Sequence, residues 1–146
     1  ITATNSLTGS SISYPTTDGS AGQTIVTDGS GNLSFATVDG FISGTDKTTT
    51  STFETTLDTF PIASYRSAKY HVSISDSTSG EYMFTELAVI HNGSNAYVTQ
   101  YGLIFTGAAE LASFGVDISS GNLRIRTTPA STNSTVFKFK KILLEI

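Results

Sequence analysis

The sequence predicts an all-β protein: an antiparallel, jelly-roll-like β-sandwich preceded by a small, turn-rich β-hairpin appendage. Three observations carry this reading. Thr, Ser, Gly, Ile, Val, Phe and Tyr dominate while helix formers are scarce, a mixture suited to short pleated strands and tight turns. Strand-like runs recur at a spacing of about ten residues, separated by clusters of Gly, Asn, Asp and Ser. No stretch shows a sustained helical period, although Gly107–Phe114 is long enough for a single turn. These patterns do not fix strand order, so a jelly roll and a partly closed barrel stay open as alternatives within the class.

In chain order, residues 1–40 form a region of their own. Thr-Asp-Gly occurs twice, at Thr17–Gly19 and Thr27–Gly29. Asp-Gly makes tight turns because Gly accepts positive φ and Asp bonds its own backbone. The pieces Gln23–Thr27 and Asn32–Val38 have the length and residue types of short strands. Large apolar residues are few here: Leu7, Ile12, Tyr14, Ile25, Val26, Leu33 and Phe35. Ordering the backbone costs about 1–2 kcal/mol per residue, and each buried apolar side chain returns only about 1.5–3 kcal/mol. The region cannot close a core alone, so it reads as an oligomerisation or attachment segment. Symmetric association would cover Tyr14, Ile25, Leu33 and Phe35 with their own copies or with a neighbour's main domain.

Residues 41–146 read as the sandwich. Thr48–Ile62 supplies one or two strands through Phe53, Thr55 and Leu57, with Pro61 marking an edge or an end. Residues 65–75 alternate cleanly, with Ala68, Tyr70, Val72 and Ile74 on the buried face and Lys69, His71, Ser73 and Ser75 on the wet one. Asp76–Gly80 is a turn. Glu81–His91 is apolar on both faces, as in a central strand. Asn92-Gly93-Ser94-Asn95 is the strongest hairpin signal, predicting that Val89 or Ile90 lies near Tyr97 or Val98 on the return strand Ala96–Phe105. Glu110–Ile118, Leu123–Thr128 and Ser134–Ile146 complete the set. The last strand changes phase, since Phe137 and Phe139 are odd while Ile142, Leu144 and Ile146 are even. A regular strand cannot do this, so a β-bulge is expected near Lys140–Lys141, the alternative being that both faces are covered beyond Lys140 and Leu143 is buried too.

The pattern Tyr-Pro-x-x-Asp-Gly-x-x-Gly-Gln-x-Ile-x-Thr-Asp-Gly-x-Gly-x-Leu-x-Phe, from Tyr14 to Phe35, resembles a segment recurring in tail-fibre and other virion structural proteins of bacteriophages, especially those of marine bacteria and cyanobacteria. Glu86–Thr106 and Phe114–Arg126 are similar to domains in virion proteins of the same phages. The resemblance implies a structural or adhesion role in the virion, as a tail-fibre or appendage module or a protein decorating the capsid exterior. It also implies assembly with itself, as a homotrimer, and with other virion proteins. No catalytic motif comes with it.

Composition sets further bounds. Charged residues make up 14% of the 146, well below the roughly 25% of an average soluble domain, so hydroxyls and amides must cover the surface. A net charge of −4 and a pI near 4.9 argue against a nucleic-acid partner. No apolar run approaches the roughly 20 residues of a membrane helix, which argues against membrane insertion. Cysteine is absent, excluding disulfides and thiolate metal sites. The chain opens on Ile1 without a visible signal peptide, and is expected to be a processed product or the ordered part of something longer.

Candidate chemistry is sparse. His71 and His91 sit at the wet face or end of strands with no metal-ligand spacing around them, and read as surface histidines. There is no G-x-S-x-G elbow and no P-loop. Asp18, Asp28, Asp39 and Asp76 lie in turns, which explains them, although carboxylates of a glycosidase pair only in space. Asp28–Asn32 starts like a calcium loop, but Leu33 replaces the turn glycine and the bidentate Glu is missing. Lys138, Lys140 and Lys141 read as a solvated face that discourages edge aggregation. The expectation is therefore no catalytic residue, no metal, no cofactor and no enzymatic activity. The competing function is a carbohydrate-binding module for host surface glycans, with Tyr65, Tyr70, Tyr82, Tyr97 and Tyr101 as stacking residues unless they are half-buried in the sandwich, and a hydrolase of host surface glycans ranks last.

Overall fold

The computed structural model describes residues 8, 9, 12–20, 23–37 and 41–146. The chain divides into two compact units, Ile1–Gly40 and Phe41–Ile146.

In the first unit β1 (Thr8–Gly9) pairs with β2 (Ile12–Ser13), and β3 (Gln23–Thr27) with β4 (Leu33–Thr37), both antiparallel. The second Thr-Asp-Gly works as its chemistry suggests, whereas the first makes no hairpin and its Gly19 lacks a positive φ. Asp28 Oδ1 accepts from the backbone N–H of Ser30 at 2.7 Å and of Asn32 at 3.1 Å, and Oδ2 accepts from Asn32 Nδ2 at 2.7 Å. These bonds hold the Asp28 carboxyl below its ordinary range, the Asn32 amide contributing most. Gly29 and Gly31 carry the positive φ that the turn requires. Leu7 and Val38, which the sequence reading includes, lie outside the described residues.

The second unit contains β5 (Ile42–Ser43), β6 (Lys47–Thr49), β7 (Thr55–Pro61), β8 (Tyr65–Asp76), β9 (Glu81–His91), β10 (Ala96–Phe105), β11 (Ala112–Ser119), β12 (Asn122–Pro129) and β13 (Thr135–Glu145). One antiparallel sheet runs β10-β9-β8-β13-β5, with β6 also on β13; the other runs β11-β12-β7. The order 13-8-9-10 is that of a Greek key. Among the described residues there is no helix, and the fold is an all-β sandwich. Its core lies between the inner faces of the two sheets, where Tyr70, Val72, Ile74, Leu87 and Phe137 meet Phe60, Leu123 and Ile125. Among the described residues no helix is long and apolar enough to cross a membrane.

Strand chemistry explains most boundaries. Asn92–Asn95 makes the expected hairpin, with Ile90 opposite Tyr97 and Val89 opposite Val98. Asn92 Oδ1 accepts from the N–H of Ser94 and Asn95, and Gly93 has φ of 100°. Asp76, at the end of β8, is buried and caps its turn by accepting from the N–H of Thr78 and Ser79, while its second oxygen takes Asn133 Nδ2 at 2.7 Å.

Four expectations are corrected. The ladder of β13 with β8 is regular from Thr135 to Leu144, so there is no bulge at Lys140–Lys141. Lys141 instead keeps the inward phase of Phe137 and Phe139, because its ammonium finds Asp58 at 2.6 Å. Phase is broken elsewhere: β7 slips against β12 at Leu57, between its Thr56 and Asp58 partners, and this turns Asp58 toward the core. His91 is buried, not on the surface. Its Nδ1 accepts from Gly93 N–H at 3.1 Å, so Nε2 carries the proton and donates to Tyr65 O at 2.7 Å. Gly107–Phe114 forms no helical turn; it bends, then enters β11. Finally, β9 is apolar on both faces but buried on only one.

Candidate functional site

The outward faces of the two sheets differ in kind. On the three-stranded sheet β12 points Arg124 and Arg126 outward. Arg124 donates to both oxygens of Asp117, at 2.6 and 2.5 Å, and Arg126 donates to Glu54 at 3.0 Å and to Thr56. Hydrogen bonding from Arg124 holds the Asp117 carboxyl below its ordinary range. That is an ordinary solvated face of hydroxyls and ion pairs.

The six-stranded sheet turns a different face outward. Opposite partners in a ladder share a face, so its rows follow from the register. One row holds Tyr97, Ile90, Ser67 and Leu144; the next holds Thr99, Ala88, Lys69 and Ile142. These eight side chains line an open groove of about 620 Å³. Ile90, Tyr97 and Leu144 are each at least half exposed, at 50%, 53% and 59%. At the opposite end stand Phe84, Tyr82 and Ile104, the last exposed to 68%. Exposed apolar residues scattered singly are normal, but clusters of them at both ends of one face mark a contact surface.

A polar belt crosses the middle. Lys69 Nζ meets Glu86 Oε2 at 2.7 Å and lies 5.3 Å from the centre of the Tyr101 ring. The Lys69 hydrogen bond holds the Glu86 carboxyl below its ordinary range, and Glu86 in turn raises Lys69. His71 Nε2 is 3.9 Å from the other Glu86 oxygen, too far for a hydrogen bond, and has no partner although the atom itself is covered. Phe41 and Phe84 cover it edge-on, with ring centroids at 4.8 and 6.2 Å. Beside it a second hollow of about 360 Å³ is lined by Ser43, Asp46, Ser73, Lys138 and Lys140.

The sequence-predicted residues are only partly brought together. Ile25 pairs directly with Phe35 and Thr27 with Leu33, so Ile25, Leu33 and Phe35 share one face of the first unit's hairpin. Tyr14 follows β2 and lies outside that ribbon. Ile25 and Tyr14 are exposed, while Leu33 and Phe35 are half-buried. The five tyrosines do not form one platform, which corrects that expectation. Tyr70 is fully buried and donates its hydroxyl to Asp58 at 2.8 Å, and Tyr65 packs edge-on against Phe60. Tyr82, Tyr97 and Tyr101 do share the outer face, but neighbours in this row are four strand residues or about 13 Å apart. The sequence reading missed Lys69, Glu86, Ile90, Ile104 and Leu144 as a surface. The signal was there in β9, whose apolar residues on both faces were read as burial on both sides.

Asp28 offers no open calcium loop, since both its oxygens are taken by Ser30 and Asn32. Among the described residues no group of three or more His, Cys, Asp and Glu side chains is placed to hold a metal ion.

No family model matches the chain, and no curated protein matches it either. Solved structures do. Over 71% of its length the chain resembles 18% of the tailspike protein gp49 of the Acinetobacter baumannii bacteriophage Fri1, a capsular polysaccharide depolymerase, with 18% identity and a TM-score of 0.42. It also resembles the tailspike protein of Acinetobacter baumannii phage AM24, covering 73% of this chain and 26% of that one, with 9% identity and a TM-score of 0.40. The chain thus spans only a minor part of either protein. The reading of the sequence as a non-enzyme does not stand beside these neighbours, because the first of them is a depolymerase. A missing motif was a poor ground for it, since catalytic carboxylates meet only in space.

Proposed function

We propose that the chain is a module of a bacteriophage tail appendage that works through contact, by assembling with other copies and other virion proteins and by adhesion. One observation carries the reading: the outer face of the six-stranded sheet bears open apolar clusters at both ends, whereas β11 and β12 turn mainly hydroxyls and ion-paired charges outward on the other sheet. A protein whose every face met only water would keep both polar. The Tyr14–Phe35 segment supports the phage assignment through its resemblance to virion proteins of marine phages and cyanophages. Ile25, Leu33 and Phe35 on one face of the hairpin, together with Tyr14, are the residues of the first unit we assign to oligomer contacts, three-fold by that same resemblance. Gold-labelled antibody against the chain, viewed on intact particles by electron microscopy, is expected to mark the tail. Label over the capsid shell would refute the tail assignment in favour of surface decoration.

Glycan recognition is a second reading. The Tyr101 ring beside the Lys69–Glu86 pair favours it, because an apolar ring face next to charged hydrogen-bonding groups suits a sugar. Binding of the chain to host cells, lost in Tyr101→Ala, would support it; equal binding by both proteins would dismiss it.

A further inference from the structure

We infer that the outer face of the six-stranded sheet is a self-association surface, and that its occupant is the same face of a second copy packed end over end. This rests on reading the module as one that works by assembly, and it goes further by naming the face and the partner.

Shape supports a second copy. The face carries both halves of a fit: Tyr82 and Ile104 project at one end, exposed to 60% and 68%, and the groove between Ile90, Tyr97, Ile142 and Leu144 lies at the other. Tyr82 and Ile90 are eight residues apart on β9, or about 26 Å. A copy turned about a two-fold axis lying across the strands, near Glu86, seats each projecting end in the other's groove, twice over. An isologous contact needs that self-complementarity. Two sheets packed in this way bring their strands back into near alignment, the common geometry of stacked sheets.

Charge permits the contact. Along β9 and β10 the outer face bears one acid, Glu86, and Lys69 on β8 already neutralises it at 2.7 Å. Closing over this pair strands no lone charge. Lys138, with Asp46 at 3.4 Å, and Lys140, in the same row as His71 and Glu86, are both exposed on β13, and their long stems let the ammoniums reach solvent past the edge of the contact. Strand β10 contains no charged residue in Ala96–Phe105, so its side chains add no charge to be desolvated when the face is covered.

Area is sufficient. Tyr82, Ile90, Tyr97, Tyr101, Ile104 and Leu144 together leave on the order of 650 Å² of side chain in solvent, taking about 200 Å² for each when fully exposed. With the polar rim this approaches the roughly 800 Å² per partner of a standard stable interface.

The test uses the full chain in analytical ultracentrifugation. Association is expected, and Ile90→Lys combined with Ile104→Lys should raise its midpoint concentration by about tenfold or more, with thermal unfolding confirming that the variant is folded. Ile25→Lys, in the first unit, is the comparison. If Ile25→Lys dissociates the chain and the outer-face variant does not, the inference is overturned while assembly stands. Should the outer-face variant fail to fold, cross-linking decides. The sequence has no cysteine, and Tyr82→Cys with Ile90→Cys places two thiols too far apart for an intrachain bond. Mild oxidation is then expected to give a covalent dimer, and monomer alone overturns the inference.

Discussion

Asp58 is the most informative single residue to change. It sits on β7 in one sheet and accepts from two groups of the other, Lys141 Nζ at 2.6 Å and the Tyr70 hydroxyl at 2.8 Å. The ion pair is nearly enclosed, with side-chain exposures of 12% for Lys141 and 16% for Asp58. Asp58→Ala would leave an ammonium and a buried phenol without an acceptor. Breaking one partner of such a pair costs about 3–5 kcal/mol, of which the orphaned phenol accounts for about 1–3 kcal/mol. Lys141→Met should be milder, because Tyr70 still donates to Asp58. In the double variant no charge is stranded, so its loss should fall short of the two single losses added together by about 1–3 kcal/mol. Urea unfolding at pH 7, followed by far-UV circular dichroism, measures all three. A loss below about 1 kcal/mol for Asp58→Ala, or strict additivity, would refute the bridge.

Two further changes follow from the same core. Burial, with the Asp58 charge beside it, pushes the Tyr70 phenol well above its ordinary value. The folded chain therefore keeps a proton that the unfolded chain releases near pH 10, and stability, full below that pH, should fall by about 1.4 kcal/mol per pH unit above it. Tyr70→Phe should flatten this alkaline slope while costing about 1 kcal/mol at pH 7; equal slopes from pH 9 to 11 in thermal melts would count against the assignment. Gly44→Ala should destabilise by about 1–3 kcal/mol, because the Phe139 ring occupies the place its Cβ would take and Gly44 N–H already donates to Phe139 O at 3.0 Å. An unchanged melting midpoint would contradict it.

The strands of the sandwich were legible because period-two alternation and turn chemistry are local. Ala68, Tyr70, Val72 and Ile74 declare the inner face of β8, and Asn92-Gly93 declares its hairpin, without knowledge of any partner. What failed depended on distant neighbours. Lys141 looked outward by type and points inward because Asp58, far away in sequence, waits for it. His91 looked wet and is buried because the Tyr65 carbonyl lies opposite. The candidate site suffered in the same way. Tyr82, Phe84, Ala88 and Ile90 announce an apolar face, and sequence cannot distinguish a face covered within the chain from one left open.

The central place of β13 has a consequence for how the domain is made. β8, β9 and β10 form a meander of neighbours in sequence, and such hairpins close within about 1–10 μs. β13 inserts between β8 and the pair β5 and β6, matching Thr135 to Asp76 and Leu144 to Ser67 across the whole of β9 to β12. Closing so long a loop is slow, and it must precede the contacts that reward it. On the ribosome the meander will therefore stand for a time with β8 as a bare edge and Tyr70, Val72 and Ile74 short of the Phe137 and Phe139 rings that cover them. That interval favours aggregation over folding. Slow synthesis at low temperature, or a chaperone that shields β8, should raise the yield of this domain more than any gain in its final stability.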